Sequence, residues 1–418
     1  METRRRAYKT EINPTIEQRT LLVQACGAAR FVFNWGLAQK KAALEAKLKP
    51  PTYAQLNKEL TKLRGEHDWL AAVASHTCQG ALRNLDAAWG NFFKSKAGKR
   101  KGRRMGFPRF KSRRNGLGQI KNYGFEVAED SIRWSGIGWI NLKERDYLPH
   151  GKYGVWNSDK RLICLTISER AGRWFVAAQT EEEVTPIEVP IELPVIGVDV
   201  GIKTLATVSD GRAFENPKSL RRNMRTLKRV QRTVSRRVNG SKNRDRARAR
   251  LARVHYRISC VRQDATHKAT TEITQKPSVI VIESLNVAGM MSNHNLAGAV
   301  ADANMSEFLR QLRYKSEWSG GRIVEADKWF PSSKTCSCCG WRDENQTLAD
   351  RVFVCGGCGQ QLDRDLNAAR NLAKRAASHA VTKGCGGGSS PTSRDVGVPT
   401  DETATNAQMG LLMGEAIV

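Results

Sequence analysis

The stretch that decides the fold is VIGVDVGIKTLATVS, residues 195–209. Its apolar run at 195–200 predicts a buried strand, and a turn at Gly201 leads to a second strand at 205–209. Asp199 lies within the first strand, where an ionised carboxylate is costly unless a cation neutralises it. The stretch therefore predicts an α/β domain that carries a metal ligand.

Two other segments place acids in comparable positions. Glu283 follows the apolar run SVIVI, and Asp363 and Asp365 begin the helical segment DRDLNAA. Acids at strand ends and at a helix start can converge on one point, and their oxygens suit Mg²⁺. Two such ions could activate water and stabilise the leaving oxygen of a phosphodiester. Taken singly, each acid could instead be a solvated terminus or a helix cap. Together they predict a catalytic magnesium site, which consists of Asp199, Glu283 and Asp365, with Asp363 as N-cap or supporting partner.

Four cysteines have the spacing of a zinc ribbon. Residues 336–339 read CSCC and residues 355–358 read CGGC, two C-x₂-C pairs with fifteen residues between them. Gly340 and Gly359 follow the pairs and permit tight turns. A closed four-sulfur site has no open position, so it is structural, and Cys338 is expected to point away from it. The predicted zinc ligands are Cys336, Cys339, Cys355 and Cys358.

The charge of the chain predicts a polyanionic partner. Its 418 residues include 69 Lys and Arg against 41 Asp and Glu, a net charge of +28. Such an excess produces self-repulsion unless nucleic acid neutralises it. Basic residues concentrate at 94–114, among aromatic residues, and in two helical arms at 218–268. An ordinary solvated surface is the alternative for both segments. The predicted contacts to a nucleic-acid backbone are Arg103, Arg104, Arg109, Lys111, Arg236, Arg237, Lys242 and Arg244.

Changes of composition divide the chain into regions. The predicted regions are an N-terminal region at 1–182 with helices at about 15–95, a linker at 183–194, two segments at 195–334 and 360–376 that carry the candidate catalytic acids, a zinc ribbon at 335–359, and a disordered tail at 377–418. No membrane span or secretory signal is expected. The protein is therefore expected in the cytoplasm, with its cysteines reduced.

The motifs in combination resemble those of the transposon-encoded TnpB (OrfB) nucleases, compact relatives of type V CRISPR effectors. The resemblance covers about residues 5–375. The most specific matching segments are GVDVGIK (197–203), IESLNV (282–287), FPSSKTCSCCG (330–340), CGGCGQQLDRDLNAARNL (355–372) and GFPRFK (106–111).

This resemblance implies a multidomain chain of α/β and α+β class. It implies an RNase H-like (RuvC) core with inserted basic arms and the zinc ribbon, preceded by a wedge-like β-barrel with an inserted helical recognition domain. A guide RNA from the transposon end would direct magnesium-dependent cutting of double-stranded DNA beside a short motif, which retains the transposon. Contacts to that motif are implied at Tyr53, Gln79 and Asn122. Ordinary packing or surface roles are the alternative for these residues.

Two other functions remain open from the sequence. A nuclease-inactive, DNA-binding regulator could use the same scaffold, although the intact acids Asp199, Glu283 and Asp365 argue against it. A strand-transfer transposase could use the same acids and would work on transposon ends without RNA. Copurified RNA would separate the guided nuclease from the transposase.

Overall fold

The computed structural model describes residues 2–100, 102, 104–113, 116–185, 192–327, 330–347 and 350–382. The parts of the sequence predictions that lie outside these residues include Arg103, positions 101 and 114 of the basic segment, positions 186–191 of the linker, positions 348–349 of the zinc ribbon, and positions 383–418 of the tail. The described residues form two large sheets, several helical elements and a small ribbon.

A nine-stranded sheet forms most of the N-terminal region. Its strands are β1 (Glu2–Asn13), β2 (Gln119–Asn122), β3 (Phe125–Val127), β4 (Ser131–Trp134), β5 (Gly138–Leu142), β6 (Gly151–Lys152), β7 (Trp156–Asn157), β8 (Lys160–Arg170) and β9 (Arg173–Val184). The order is β2-β8-β9-β1-β5-β4-β3-β6, and β7 pairs with β8. An isolated bridge between Tyr153 and Leu162 brings the chain after β6 back to β8.

Four helices are inserted between β1 and β2. They are α1 (Ile16–Glu45), α2 (Tyr53–Glu66), α3 (Asp68–Ala71) and α4 (Ser75–Lys96). Thr15 caps α1 and forms a reciprocal capping box with Gln18, which explains where the helix begins. By length and composition α1 could cross a membrane, but 50% of its most apolar window is buried within the protein. Core helices pass the same test, so this is weak support for a span.

The second sheet contains residues 195–209, the stretch that predicted two strands. Its strands are β10 (Val195–Asp199), β11 (Thr204–Val208), β12 (Ala213–Glu215), β13 (Val279–Glu283) and β14 (Arg322–Ala326). The order is β12-β11-β10-β13-β14. β10, β13 and β14 are parallel, while β11 and β12 run antiparallel to their neighbours. This is the strand order of the RNase H-like sheet that the resemblance implied.

Helices cover this sheet and extend from it. Between β12 and β13 the chain forms α5 (Ser219–Ser235) and α6 (Lys242–Ile273), which pack through Leu227, Val230 and Leu251. α6 continues five residues past the predicted end at 268. Next come α7 (Val287–Ser292), α8 (His294–Ala303) and α9 (Met305–Trp318). The carboxylate of Asp302 in α8 accepts from the main-chain nitrogens of Leu220 and Arg221, and so caps α5.

The C-terminal elements complete the second sheet. A two-stranded ribbon consists of β15 (Val352–Val354) and β16 (Gln361–Asp363). It leads into α10 (Arg364–Thr382), which packs on the second sheet. Residues 377–382, assigned above to a disordered tail, are therefore helical. The predicted boundary at 376 was too early.

Candidate active site and metal centre

Asp199 and Glu283 end neighbouring parallel strands. Val198 is in register with Ile282, so the residues that follow them lie side by side at the carboxyl edge of the sheet. Neighbouring strands are about 4.8 Å apart. Both acids are half-buried, because the strands before them belong to the apolar core while the edge itself is open. This geometry can present two carboxylates to one cation.

Asp365 approaches this edge from the N-terminus of α10. Asp363 caps the helix, because its Oδ1 accepts from the main-chain nitrogens of Asp365 at 2.9 Å and Leu366 at 3.1 Å. The predicted N-cap role of Asp363 is confirmed. A guanidinium nitrogen of Arg364 lies 3.6 Å from Oδ1 of Asp365. The third acid is thus held on a rigid helix end.

The three acids influence one another electrostatically. The pKa of Asp199 is raised from 3.8 to about 8, first by burial and then by the negative charges of Glu283 and Asp365. The nearby Arg364 opposes this shift, and Asp363 adds to it. Carboxylates in such proximity repel each other unless a cation is bound. Their oxygens are donors of the kind that hard divalent ions prefer, so the donor chemistry suits Mg²⁺. The three carboxylates are not as close together as the four cysteine sulfurs described below, which all lie within 4.8 Å of one another.

Hydrogen bonds from neighbouring segments support the acids. Ser332 donates from its hydroxyl to Oε1 of Glu283 in a short hydrogen bond. Asn371 of α10 donates to the main-chain oxygen of Ser332 at 2.8 Å. Neither residue was predicted from the sequence as part of the site. Their only signal was their position within the quoted segments 330–340 and 355–372.

The four predicted zinc ligands converge. The sulfur atoms of Cys336, Cys339, Cys355 and Cys358 all lie within 4.8 Å of one another. Gly340 and Gly359 have φ angles of 81° and 71°, the left-handed conformation that glycine adopts without strain. Cys338 is exposed and lies outside this cluster, as expected. The cluster is compatible with a structural zinc ion.

The residues proposed to read a DNA motif differ in their accessibility. Tyr53 begins α2, and its hydroxyl accepts from Nε of Arg83 at 3.4 Å. Gln79 is half-buried on α4. Asn122 is 0% exposed, and both polar atoms of its amide bond to Gly124. In this structure Asn122 therefore stabilises a turn, and its amide is not available to DNA.

Arg83, which the sequence did not predict as a site residue, lies beside Tyr53. Its guanidinium lies over the ring of Tyr123 at 4.4 Å and over that of Tyr53 at 5.6 Å. A stacked arginine beside Tyr53 adds a positive charge to the predicted motif-reading surface. Nothing in the local sequence marks it, because the stack joins α4 to the loop after β2.

The first basic segment lies along the inserted helices. Phe107 packs against Trp89 and Phe92, with ring centroids 5.5 and 5.1 Å away, and so anchors the segment. Arg104, Arg109 and Lys111 are exposed, and the Lys111 ammonium lies 4.1 Å from the centroid of the Phe33 ring. The described part of this segment thus presents cations on an anchored loop.

The second basic group lies at the tip of the two arms. Arg236, Arg237 and Lys242 are exposed, and Arg244 is half-buried. Arg244 donates to the main-chain oxygen of Arg237 at 3.3 Å and so links the two helices. The apolar contacts of the arms face inward, which leaves a basic outer surface.

Comparison with known sequences identifies the family. The OrfB_IS605 family, described as "Probable transposase", matches residues 177–294, and a "Cas12f1-like, TNB domain" matches residues 306–372. A Streptomyces pristinaespiralis protein named "Putative RNA-guided DNA endonuclease" is 34% identical over 94% of this chain and 93% of its own. Escherichia coli K12 "Putative RNA-guided DNA endonuclease InsQ" is 31% identical over 90% and 93%, respectively. The chain belongs to the TnpB (OrfB) family.

Two further matches concern the fold and the N-terminal region. A solved structure of the mini-RNA-guided endonuclease CRISPR-Cas_phi3 aligns with 90% of this chain and 92% of its own, at 10% identity and a TM-score of 0.45. Residues 1–49 match a family described as "Helix-turn-helix domain". In this chain the described residues 2–49 form one strand and one long helix instead.

Proposed function

We propose that the protein is an RNA-guided, magnesium-dependent DNA endonuclease that is encoded by a transposon. The observation that supports the nuclease activity best is that Asp199 and Glu283 end neighbouring parallel strands, with Asp365 near enough to add to the negative charge around Asp199. The names of the relatives from Streptomyces and Escherichia coli support guidance by RNA and the DNA substrate. One RuvC-like site would cut both DNA strands beside a short motif. This cutting would retain the transposon at its donor site.

The catalytic residues in this proposal are Asp199, Glu283 and Asp365, which hold Mg²⁺ through carboxylate oxygens. Bound Mg²⁺ supplies an activated water and stabilises negative charge on the phosphate and the leaving oxygen. The chain's own contribution is orientation. Glu283 is held by Ser332, and Asp365 by the capped start of α10 beside Arg364. The four-cysteine cluster holds zinc and takes no part in hydrolysis.

The nucleic-acid surfaces follow from charge and shape. The basic arm tips and the anchored segment 104–113 contact phosphates. In this proposal the nine-stranded N-terminal sheet acts as a wedge-like barrel. The inserted helices read the motif with Tyr53, Gln79 and Arg83, the last of which bonds to Tyr53. Because base pairing with the guide recognises the sequence, the protein itself needs only a short reading surface. The proposed location is the prokaryotic cytosol or nucleoid, without membrane attachment.

The test begins with the intact chain purified from cells that carry its transposon. Copurifying RNA is sequenced and compared with the DNA that flanks the transposon. The complex is then given Mg²⁺ and matching duplex DNA. We expect cutting by the unaltered protein and none by Asp199→Ala, with RNA and DNA binding retained, because only metal ligation is lost. Asp264→Ala is the control, since Asp264 pairs with Lys268 on the surface of α6.

Other outcomes would assign the chain differently. Joining of transposon ends in the absence of RNA would identify a transposase. Guide-dependent DNA binding without any cutting by the intact triad would identify a regulator. Loss of RNA binding in Asp199→Ala would contradict the metal-ligand role.

A further inference from the structure

Residues 332–337 form a segment between the second sheet and the zinc cluster, and Ser332, Cys336 and Ser337 within it are buried. Ser332 in this segment is 3% exposed, and its hydroxyl donates to Oε1 of Glu283. Hydrogen bonds to ionised groups are about twice as strong as neutral ones, and a low-dielectric surrounding strengthens them. This contact therefore restrains the direction of the Glu283 side chain.

Two asparagines of α10 hold the same segment in place. Asn371 donates to the main-chain oxygens of Ser332 at 2.8 Å and Thr335 at 2.6 Å. Asn367 donates to Thr335 at 2.7 Å and accepts from the main-chain nitrogen of Ser337 at 2.8 Å. Both asparagines are almost fully buried, with Asn367 0% and Asn371 5% exposed. Since they bond main-chain atoms, they fix the path of the segment.

These hydrogen bonds connect the candidate acid site with the zinc cluster. Asn367 lies two residues after Asp365, and Ser337 follows the zinc-cluster residue Cys336. The segment therefore contacts Glu283 through the hydroxyl of Ser332. It contacts α10, the helix that carries Asp365, through Asn367 and Asn371. Its other end is the first cysteine turn. A rotation of α10 relative to β13 would have to break one of these bonds.

We propose that Ser332 is a positioning residue for the magnesium site. Its hydroxyl occupies Oε1 of Glu283, which leaves Oε2 for the metal ion, and Asn367 and Asn371 hold Ser332 at the required place. This inference rests on the proposed function, because it assumes that Glu283 is a metal ligand. Groups that hydrogen-bond a metal-binding carboxylate typically change metal affinity or activity by about 10–100-fold.

The neighbouring serine provides a matched control. Ser333 has the same side chain one residue further along, and of these two serines only Ser332 donates to Glu283 in the described structure. A general effect of removing a hydroxyl from this segment would appear in both Ser332→Ala and Ser333→Ala. A positioning effect would appear in Ser332→Ala alone and would be restored by Ser332→Thr, which keeps the hydroxyl.

The experiment uses the full chain with its copurified RNA. Mn²⁺ binding is measured by electron paramagnetic resonance, and DNA cutting is measured over a range of Mg²⁺ concentrations. Zinc content and Tm are recorded for each variant. We expect Ser332→Ala to weaken Mn²⁺ binding and raise the Mg²⁺ requirement by about tenfold or more. Zinc content and Tm stay close to those of Ser333→Ala, and Ser332→Thr recovers most of the affinity.

Two results would overturn the inference. One is equal Mn²⁺ affinity in Ser332→Ala and Ser333→Ala. The other is a Ser332→Ala protein that loses zinc or melts early, because its defect would then be structural. A failure of the proposed function looks different. In that case the unaltered chain binds Mn²⁺ but cuts no guided DNA, or Asp199→Ala still cuts.

Discussion

Gly197 of β10 lies directly against Ala369 of α10. A Cβ atom added to residue 197 would come within 1.9 Å of the Ala369 carbonyl oxygen and 2.7 Å of the Ala373 nitrogen. Neither backbone atom can move without shifting α10. Asp199 lies two residues further along β10, and Asp365 one helical turn before Ala369. The missing side chain thus sets the approach of two proposed metal ligands.

Gly197→Ala is expected to abolish cutting by displacing α10. Overpacking in a core costs about 1–3 kcal/mol or more, and here the clash is with backbone, so Tm should fall clearly. RNA binding through the basic arms should remain. Gly298→Ala is the control, because a Cβ there meets nothing within 4 Å. Normal cutting and Tm in Gly197→Ala would show that α10 does not pack as described.

The raised pKa of Asp199 predicts a pH-dependent stability of the metal-free protein. The folded-state value of about 8 exceeds the ordinary 3.8, so the folded chain retains a proton that the unfolded chain releases between these values. The contribution to stability is complete below pH 3.8 and is lost as the pH rises through 8. We expect Asp199→Asn to raise the metal-free Tm relative to the unaltered protein, more at pH 8 than at pH 5.5.

Calorimetry of both proteins at the two pH values checks this expectation. Added Mg²⁺ should stabilise the unaltered protein more at pH 8 than at pH 5.5, because a larger fraction of the Asp199 carboxyl is ionised at pH 8, and it should stabilise Asp199→Asn much less. Asp264→Asn, at an exposed acid, should show neither effect. A Tm of Asp199→Asn below that of the unaltered protein at pH 8 would contradict the mutual repulsion of the acids.

Cys355→Ser is expected to remove zinc and loosen the chain from about residue 330. Cys355 is 2% exposed and its sulfur lies 3.4 Å from that of Cys339. Zinc binding to structural sites in zinc-finger peptides contributes roughly 10–16 kcal/mol to the free energy of folding. The loss of one ligand should therefore clearly destabilise this region. Zinc content and limited proteolysis provide the measurement. Cys338→Ser, at the exposed neighbour, should retain zinc.

Neutralising the arm tip should weaken nucleic-acid binding in a salt-dependent manner. Replacing Arg236, Arg237 and Lys242 by Ala removes three exposed cations. Each lost phosphate contact reduces the magnitude of the negative slope of log K against log salt by about 0.7–0.9. If all three side chains contact phosphates, the magnitude should fall by about 2–3 in total. Lys268→Ala is compared, since Lys268 already pairs with Asp264 at 2.8 Å. An unchanged slope would show that the arm tip does not contact the nucleic acid.

The features that the sequence predicted well are encoded locally. Apolar runs before Asp199 and Glu283 predicted strands that end at the same edge, and the structure pairs them in register. The cysteine spacing predicted a cluster, because each pair forms its own tight turn. Strand periodicity and turn chemistry depend on neighbouring residues, so a single sequence suffices for them.

The features that it missed depend on contacts between distant segments. The burial of Asn122 follows from the close packing of α4 on β2, where a Cβ on Gly80 would lie 2.8 Å from the Lys121 carbonyl oxygen. The Ser332 bond to Glu283 joins residues that are far apart in the chain. Neither contact leaves a periodic signal, so neither could be predicted from spacing.

The position of Asp365 on α10 has a consequence for synthesis. Domains generally fold in the order in which the ribosome releases them. The basic arms are complete by Ile273, whereas the last acid follows the ribbon. A message truncated between these points yields a polypeptide with its polyanion-binding surface and an incomplete metal centre. Under the proposed function, such truncated products would bind RNA but could not cut DNA.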